Sequence, residues 1–295
     1  MKILNYGSLN LDYVYTVDHI VKPGETITSS GLEVHPGGKG LNQSVALARA
    51  GAQVSHAGLV GEDGTMLLQT CKDNNIDTSF IQTTDIRSGN AIIQIDAGGE
   101  NSIVLFAGAN RQNSVEYIDE VLKNFGCGDL LIVQNEVNLL DYMIGSAFSI
   151  GMKVALNPSP FDDIVKSCDF SKVSYLFVNE IEAGQISGET VPDKMLSAIR
   201  KIYPNVKVIL TLGSDGAYYQ DADTVYYQPA FAVSAVDTTA AGDTFTGYFL
   251  SEITQKKSPQ QALFLASKAA ALAVSRKGAV SSIPWKSEID CPTES

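Results

Sequence analysis

Histidine is scarce in this 295-residue chain: only His19, His35 and His56 occur, and no two stand at the i, i+4 spacing that zinc proteases use on a helix. A GxSxG elbow is also missing, so neither zinc hydrolysis nor Ser-His-Asp chemistry is expected. Cysteine is nearly as sparse. Cys71, Cys127, Cys168 and Cys291 form no CxxC pair in a chain too large to need disulfide staples, which points to reduced thiols in a cytoplasm. Positive charge is in deficit: 33 Asp and Glu against 21 Lys and Arg leave a formal charge of -12, with no basic field to draw in a nucleic-acid backbone. Long apolar runs are lacking as well. Stretches such as Ala269 to Val274 fall far short of the ~20 residues that span a bilayer, and Met1 to Gly7 turns polar too early for a secretory signal. Neither a nucleic acid nor a membrane is therefore an expected partner.

The composition that remains, 44% hydrophobic and 18% charged, is that of an ordinary folded protein. No internal repeat, low-complexity tract or linker divides it, so residues 1–295 read as one domain. Short apolar runs alternate with amphipathic segments. Lys2 to Tyr6, Asp129 to Val133, Lys153 to Leu156, Tyr175 to Val178 and Lys207 to Thr211 read as buried strands. Gly40 to Ala50, Asp243 to Thr254 and Pro259 to Ser275 read as helices. Strand-then-helix repetition implies a mainly parallel sheet covered on both faces.

Two stretches break that rhythm. Ala91 to Ile95 and Ser102 to Phe106 flank a polar, glycine-containing turn, which is hairpin chemistry. Asp12 to Val17 and Thr26 to His35 read as extended segments around Lys22-Pro23-Gly24-Glu25. These pieces make either a small sheet standing off the main one or edge strands of the main sheet.

Two glycine-bearing segments open helices. Pro36-Gly37-Gly38-Lys39-Gly40-Leu41-Asn42-Gln43 lets backbone approach a ligand, and the helix start beside it offers N–H groups to a phosphate or a polyol. It is not a Walker A loop, because Gly40 follows Lys39 where Ser or Thr is required. In Asp237-Thr238-Thr239-Ala240-Ala241-Gly242-Asp243 two carboxylates flank small residues at a helix start, so several backbone N–H groups can face an anion beside Asp243. A glycine-rich turn and an ordinary Asp cap are the bland readings of the two segments.

Taken with Asn179-Glu180-Ile181-Glu182 and Thr211-Leu212-Gly213-Ser214-Asp215-Gly216, these segments resemble the ribokinase branch of the PfkB carbohydrate kinase family, in family order and from Asn5 to about Ile289. The resemblance implies a ribokinase-like α/β fold with a central, mostly parallel sheet flanked by helices and a protruding β lid, formed here by about residues 11–35 and 89–107. It implies an ATP-dependent sugar kinase, with D-ribose phosphorylated at its 5-hydroxyl as the first expectation. It makes Asp243 the base that takes the hydroxyl proton, and Ala240, Ala241 and Gly242 the anion hole for the transferred phosphoryl group. Asn10, Asp12, Gly38, Lys39, Gly40, Asn42 and Glu136 match the sugar-binding positions, together with Asp243. Asn179, Thr211, Gly213, Ser214, Gly216, Gly242 and Ser267 match the nucleotide side.

The same resemblance implies Mg²⁺ organised partly through water by Asn179 and Glu182, a spacing that is also that of a capping box. It implies K⁺ beside the anion hole, with ligands from Asp237, Thr239, Ala273, Arg276, Gly278 and Ser282. Leu41 departs from the family, which commonly has a smaller residue there; the side chain bears either on the substrate or on the core. Related substrates in the family include fructose, 2-keto-3-deoxygluconate and nucleosides, and Tyr13, Tyr15 and Phe106 could form a slot for a base. A sugar-binding protein without catalysis is the alternative of another class. The lid implies water exclusion and a homodimer.

Overall fold

Ile3–Tyr6 and Leu130–Gln134 are buried at every position, as strands must be when helices cover both faces of their sheet. The computed structural model describes residues 1–290, so Cys291 lies outside the described residues. Its strands are β1 (Ile3–Tyr6), β2 (Asn10–Thr16), β3 (Gly31–Gly37), β4 (Val54–Gly61), β5 (Asp77–Thr84), β6 (Gly89–Ile95), β7 (Asn101–Phe106), β8 (Leu130–Gln134), β9 (Lys153–Asn157), β10 (Tyr175–Asn179), β11 (Lys207–Thr211), β12 (Ala217–Gln220) and β13 (Val225–Gln228). Nine of them form one sheet in the order β13-β12-β11-β10-β9-β8-β1-β4-β5. From β11 to β5 every pairing is parallel, and β12 and β13 close one edge antiparallel.

Side chains alternate across this sheet, so Ile3 and Ile132 belong to one core while Leu4 and Leu131 belong to the other. The first core is covered by the helices Lys39–Arg49, Ala241–Thr254 and Pro259–Val274; the second takes Met143, Ile144, Leu196 and Ile199 from helices Leu140–Ser149 and Pro192–Ile202. Leu41 is fully buried in the first core, which settles its departure from the family pattern as a matter of packing.

β1 pairs with β4 on one side and with β8 on the other, so the chain winds in both directions from β1. Crevices open outside the carboxyl ends of strands at such a reversal. There β1 runs through Gly7 and Ser8 into β2, the first strand of a second sheet of order β3-β2-β6-β7. Its two hairpin-like pairs are antiparallel, and they meet along a parallel seam of β2 with β6. The extended segment expected over Thr26 to His35 is shorter: Glu25 N closes a turn on Lys22 O, the chain first reaches β2 where Ser30 N donates to Thr16 O at 2.9 Å, and β3 starts at Gly31.

The helices Lys39–Arg49 and Ala241–Thr254 touch most closely at Gly247, where a Cβ would stand 2.4 Å from Ala46 Cβ and 2.8 Å from the Leu47 amide nitrogen. Gly247→Ala is therefore expected to cost about 1–3 kcal/mol by overpacking. Gly126→Ala, a site where a new Cβ meets nothing within 4 Å, is the control. Thermal unfolding of the two variants checks this, and equal melting temperatures would refute the close crossing.

Candidate active site

The carboxyl ends of β9, β10 and β11 bring Asn157, Asn179 and Thr211 to one crevice, Ser8 after β1 and Glu136 after β8 stand behind its Lys39 wall, and two helices begin beneath it. The first, Lys39–Arg49, starts from Gly38, whose φ of 93° lies in the region that favours glycine. Its first N–H groups were expected to face a ligand. They do not: Lys39 N donates to Glu136 Oε2 at 3.0 Å, Gly40 N to Ser8 Oγ at 3.2 Å and Leu41 N to Ser8 O at 2.9 Å. The protein itself satisfies this helix start, because Gly40 lets it nest on the Gly7–Ser8 turn, where a Cβ would fall 2.4 Å from Ser8 N.

What this first helix offers the crevice is side chains. Lys39 Nζ stands 3.5 Å from Glu136 Oε1, while Glu136 Oε2 also accepts from the Ser8 hydroxyl. Burial pushes the Lys39 ammonium pKa down, but Glu136 and Asp243 outweigh it and hold it above its ordinary value. Asn42 Nδ2 donates to Asp243 Oδ2 at 3.0 Å, and Asn42 Oδ1 is buried with no protein partner among the described residues. Nearby on β2, Asn10 Oδ1 accepts from Asn110 Nδ2 at 2.7 Å. Asp12 packs against Gly37, where a Cβ would fall 2.0 Å from its Oδ2. Burial and then Glu136 raise the Asp12 carboxyl to about 7, against the opposing pull of His35 and Lys39.

The second helix, Ala241–Thr254, starts from Ala240 in the left-handed conformation, with φ 58°. Ala241 N reaches Thr238 O at 3.3 Å, whereas the N–H groups of Ala240, Gly242 and Asp243 find no acceptor among the described residues. This is the helix start free to meet an anion. Asp243 is buried within its first turn. Burial raises its pKa, opposed by Lys39 and by the amides of Gln43 and Asn42, while Glu136 adds to the rise.

A cleft lined by Lys39, Asn157, Asn179, Glu182, Ala241, Gly242 and Asp243 continues into a more apolar one lined by Ala230, Phe231, Val233, Ala270, Ala271 and Val274. Thr211, Gly213, Ser214, Gly216 and Ser267 line the second cleft, and Thr211 and Gly242 belong to both. Gly216 closes the β11–β12 turn so tightly that a Cβ would lie 2.2 Å from Gln228 O. Ser267 Oγ is buried and unpartnered among the described residues. Asn179 and Glu182 form a complete capping box, at 2.9 and 3.0 Å, which leaves Glu182 Oε1 without a protein partner among the described residues. No group of three or more His, Cys, Asp or Glu among the described residues could cage a metal, so this donor set fits Mg²⁺ that keeps its waters rather than an all-protein site.

Beside the second helix start, Asp237 accepts from Thr239 N at 2.9 Å through one oxygen and from Gly278 N at 2.9 Å through the other. That places Asp237, Thr239 and Gly278 together at the junction of two loops. The Ala273 carbonyl already accepts from Arg276 N at 3.0 Å, and Ser282 Oγ donates to Ala279 O at 2.8 Å with its lone pairs remaining. One carboxylate among loop carbonyls and a hydroxyl fits a weakly hydrated monovalent cation, with Ala273 the least free of the group.

Sequence reasoning passed over Asn5, Ser8, Gln43, Ser44, His56, Gln134 and Asn157. Asn157 ends β9 before Pro158, and a polar residue where a buried parallel strand stops was the available signal. Cys71, Cys127 and Cys168 are free thiols away from these clefts.

The sequence matches the family model for pfkB family carbohydrate kinases over residues 1–286. The ribokinase of Haemophilus influenzae is 36% identical over 292 residues, 96% of this chain and 95% of that protein. Among solved structures, the ribokinase of Cryptococcus neoformans var. grubii serotype A in complex with ADP superposes with a TM-score of 0.85 at 34% identity, covering 98% of each chain. Arabidopsis thaliana ribokinase complexed with ribose and ATP gives 0.86 at 25% identity over 98% of this chain and 97% of that one. Fold, crevice and near-full-length likeness agree, and the chain belongs to the pfkB family of carbohydrate kinases.

Proposed function

We propose that this phosphotransferase is an ATP-dependent D-ribose kinase that phosphorylates the 5-hydroxyl. The observation that carries the reading is Asp243: a buried carboxylate between a set of polyol-binding side chains and a helix start with free N–H groups. The near-full-length similarity to ribokinases favours ribose over other sugars. Asn10, Asp12, Lys39, Asn42 and Glu136 hold the sugar, and the unpartnered Asn42 Oδ1 accepts one of its hydroxyls.

Asp243 accepts the proton of the hydroxyl as its oxygen bonds to the γ-phosphorus, and the bond to the ADP oxygen breaks. The N–H groups of Ala240, Gly242 and Asp243 stabilise charge on the transferring group, with Ala241 a weaker donor. Lys39, held charged by Glu136 and Asp243, adds a positive centre on the sugar side. Thr211, Gly213, Ser214, Gly216 and Ser267 hold the nucleotide, whose base takes the apolar cleft. Asn179 and Glu182 would hold Mg²⁺ through water, and the ion supplies charge neutralisation on the phosphates. Asp237, Thr239, Gly278, Arg276 and Ser282 would hold K⁺, which supports the loop behind the anion hole.

The small sheet acts as the lid, excluding water from the transfer step. Its edge strand β7 exposes Ile103, Val104, Leu105 and Phe106 at 52, 63, 61 and 54%, an apolar row suited to a second copy of the chain. No helix among the described residues is long and apolar enough to cross a membrane; the proposed enzyme works in the cytoplasm.

ADP release with Mg-ATP and D-ribose is expected to rise on adding potassium and to fall about 10²–10⁴-fold in Asp243→Asn. Turnover of fructose or adenosine in place of ribose would overturn the substrate, and full activity of the variant would overturn the base. Because the ionised Asp12 accepts hydroxyl protons best, ribose affinity is expected to rise with pH through about 7. Calorimetry at either side of that value checks it, and Asp12→Asn should flatten the change; the same slope in both proteins removes Asp12 from the sugar site. Light scattering is expected to show a dimer that Val104→Glu converts to a monomer, whereas a monomeric parent would sink the lid pairing.

A further inference from the structure

Behind Asp243 a line of polar side chains crosses the core. Gln43 Nε2 donates to Asp243 Oδ1 at 2.9 Å, and Gln43 Oε1 accepts from Gln134 Nε2 at 2.8 Å. Gln134 Nε2 also donates to Asn5 Oδ1 at 2.9 Å, and Asn5 Nδ2 donates to Ser44 Oγ at 2.8 Å and to Gly40 O at 2.7 Å. Ser44 Oγ lies 2.8 Å from His56 Nδ1, and His56 Nε2 lies 3.2 Å from Gly7 O. Asn5, Gln43, Ser44, His56 and Gln134 are each 0% exposed.

The direction of every bond in this line follows from its far end. Gly7 O can only accept, so the imidazole, kept neutral by burial, carries its proton on Nε2 and leaves Nδ1 bare. Ser44 must then give its proton to Nδ1 and accept from Asn5. With its nitrogen turned to two acceptors, Asn5 shows its oxygen to Gln134. Gln134 in turn spends both amide protons, on Asn5 and on Gln43. Only one orientation is left to Gln43, with its oxygen toward Gln134 and its NH₂ toward Asp243.

We infer that Gln43 is a positioning residue for phosphoryl transfer, whose donor polarity toward Asp243 is imposed through Asn5 and Gln134 from the Gly40 carbonyl and His56. A solvent-facing amide can turn over and offer its oxygen instead, which would repel a carboxylate; this one cannot without breaking the line. Gln43 on Oδ1 and Asn42 on Oδ2 together stop the Asp243 carboxylate from rotating. The other charged groups that act on Asp243 are Lys39, which lines the crevice, and Glu136, which pairs with Lys39. Gln43 lines neither cleft, so it acts only through Asp243.

The inference rests on Asp243 as the base, so steady-state kinetics with Mg-ATP and D-ribose should compare Gln43→Met, Gln43→Glu and Asp243→Asn. Gln43→Met is expected to lower kcat about tenfold to a hundredfold. Its KM for both substrates should stay within about threefold of the parent, as for an interaction that matters in the transition state. Gln43→Glu keeps the shape but turns a carboxylate oxygen to Asp243, so its kcat should fall below that of Gln43→Met. If Gln43 only fills space, Gln43→Glu equals or exceeds Gln43→Met, and that order, or an unchanged kcat in Gln43→Met, overturns the inference. Full activity in Asp243→Asn would instead remove the base reading and this one with it. Thermal unfolding follows each variant; should the Gln43 variants not fold, Ser44→Ala removes one of the two acceptors that orient Asn5 and must also lower kcat at constant KM.

Discussion

A carboxylate taken out of water has to be solvated by something, and in this protein that obligation organises the crevice. Asp243 is buried inside the first turn of its helix, where isolated burial would neutralise it. Two amide donors reach it from Asn42 and Gln43, about two hundred residues earlier in the chain. Those donors are useful only if the Lys39–Arg49 helix is held against β1 at a fixed height. Asn5, Ser8 and the glycines at 7 and 40 supply that hold, through hydrogen bonds and through backbone contact that no side chain interrupts. The close crossing at Gly247 then fixes the two helices to each other.

Two helix starts at one crevice behave differently, and the difference is chemical. The Lys39 helix has its N–H groups answered by Ser8 and Glu136, so its contribution to a ligand comes from side chains. The Ala241 helix, begun by Ala240 in a left-handed turn, leaves N–H groups open. Division of labour follows: polar side chains suit a neutral polyol, while open backbone dipoles suit an anion.

The parallel strands and the segments that open helices were legible because burial on both faces and helix-start chemistry leave marks in order and composition. Asp237 to Asp243 and Asn179 to Glu182 are such marks. The line from Gln43 to His56 was not legible. Gln134 ends a run that reads as an apolar strand, and Gln43 and Ser44 lie in a helix of small residues; periodicity cannot tell an amide aimed at a carboxylate from one facing water. The free N–H groups expected at Gly38 to Leu41 failed for the same reason, since their partners Ser8 and Glu136 are remote in sequence. Also unread was the β12–β13 hairpin, whose tyrosines meet across the strands, Tyr218 tilted on Tyr227 and Tyr219 stacked on Tyr226, in positions set by pairing partners.

The small sheet is sewn from two separate excursions of the chain, residues 10–37 and 89–106, whose strands pair with each other along β2 and β6. A lone two-stranded ribbon has little independent stability, so each half depends on the other. Between them the chain lays down the Lys39 helix, β4 and β5. The seam is thus a long-range pairing, with the slow assembly that such topology carries. Asn10 and Asp12 lie on the seam strand itself. The proposed sugar grip thus stands on a pairing between two remote segments, and its completion belongs to the slow, long-range part of folding.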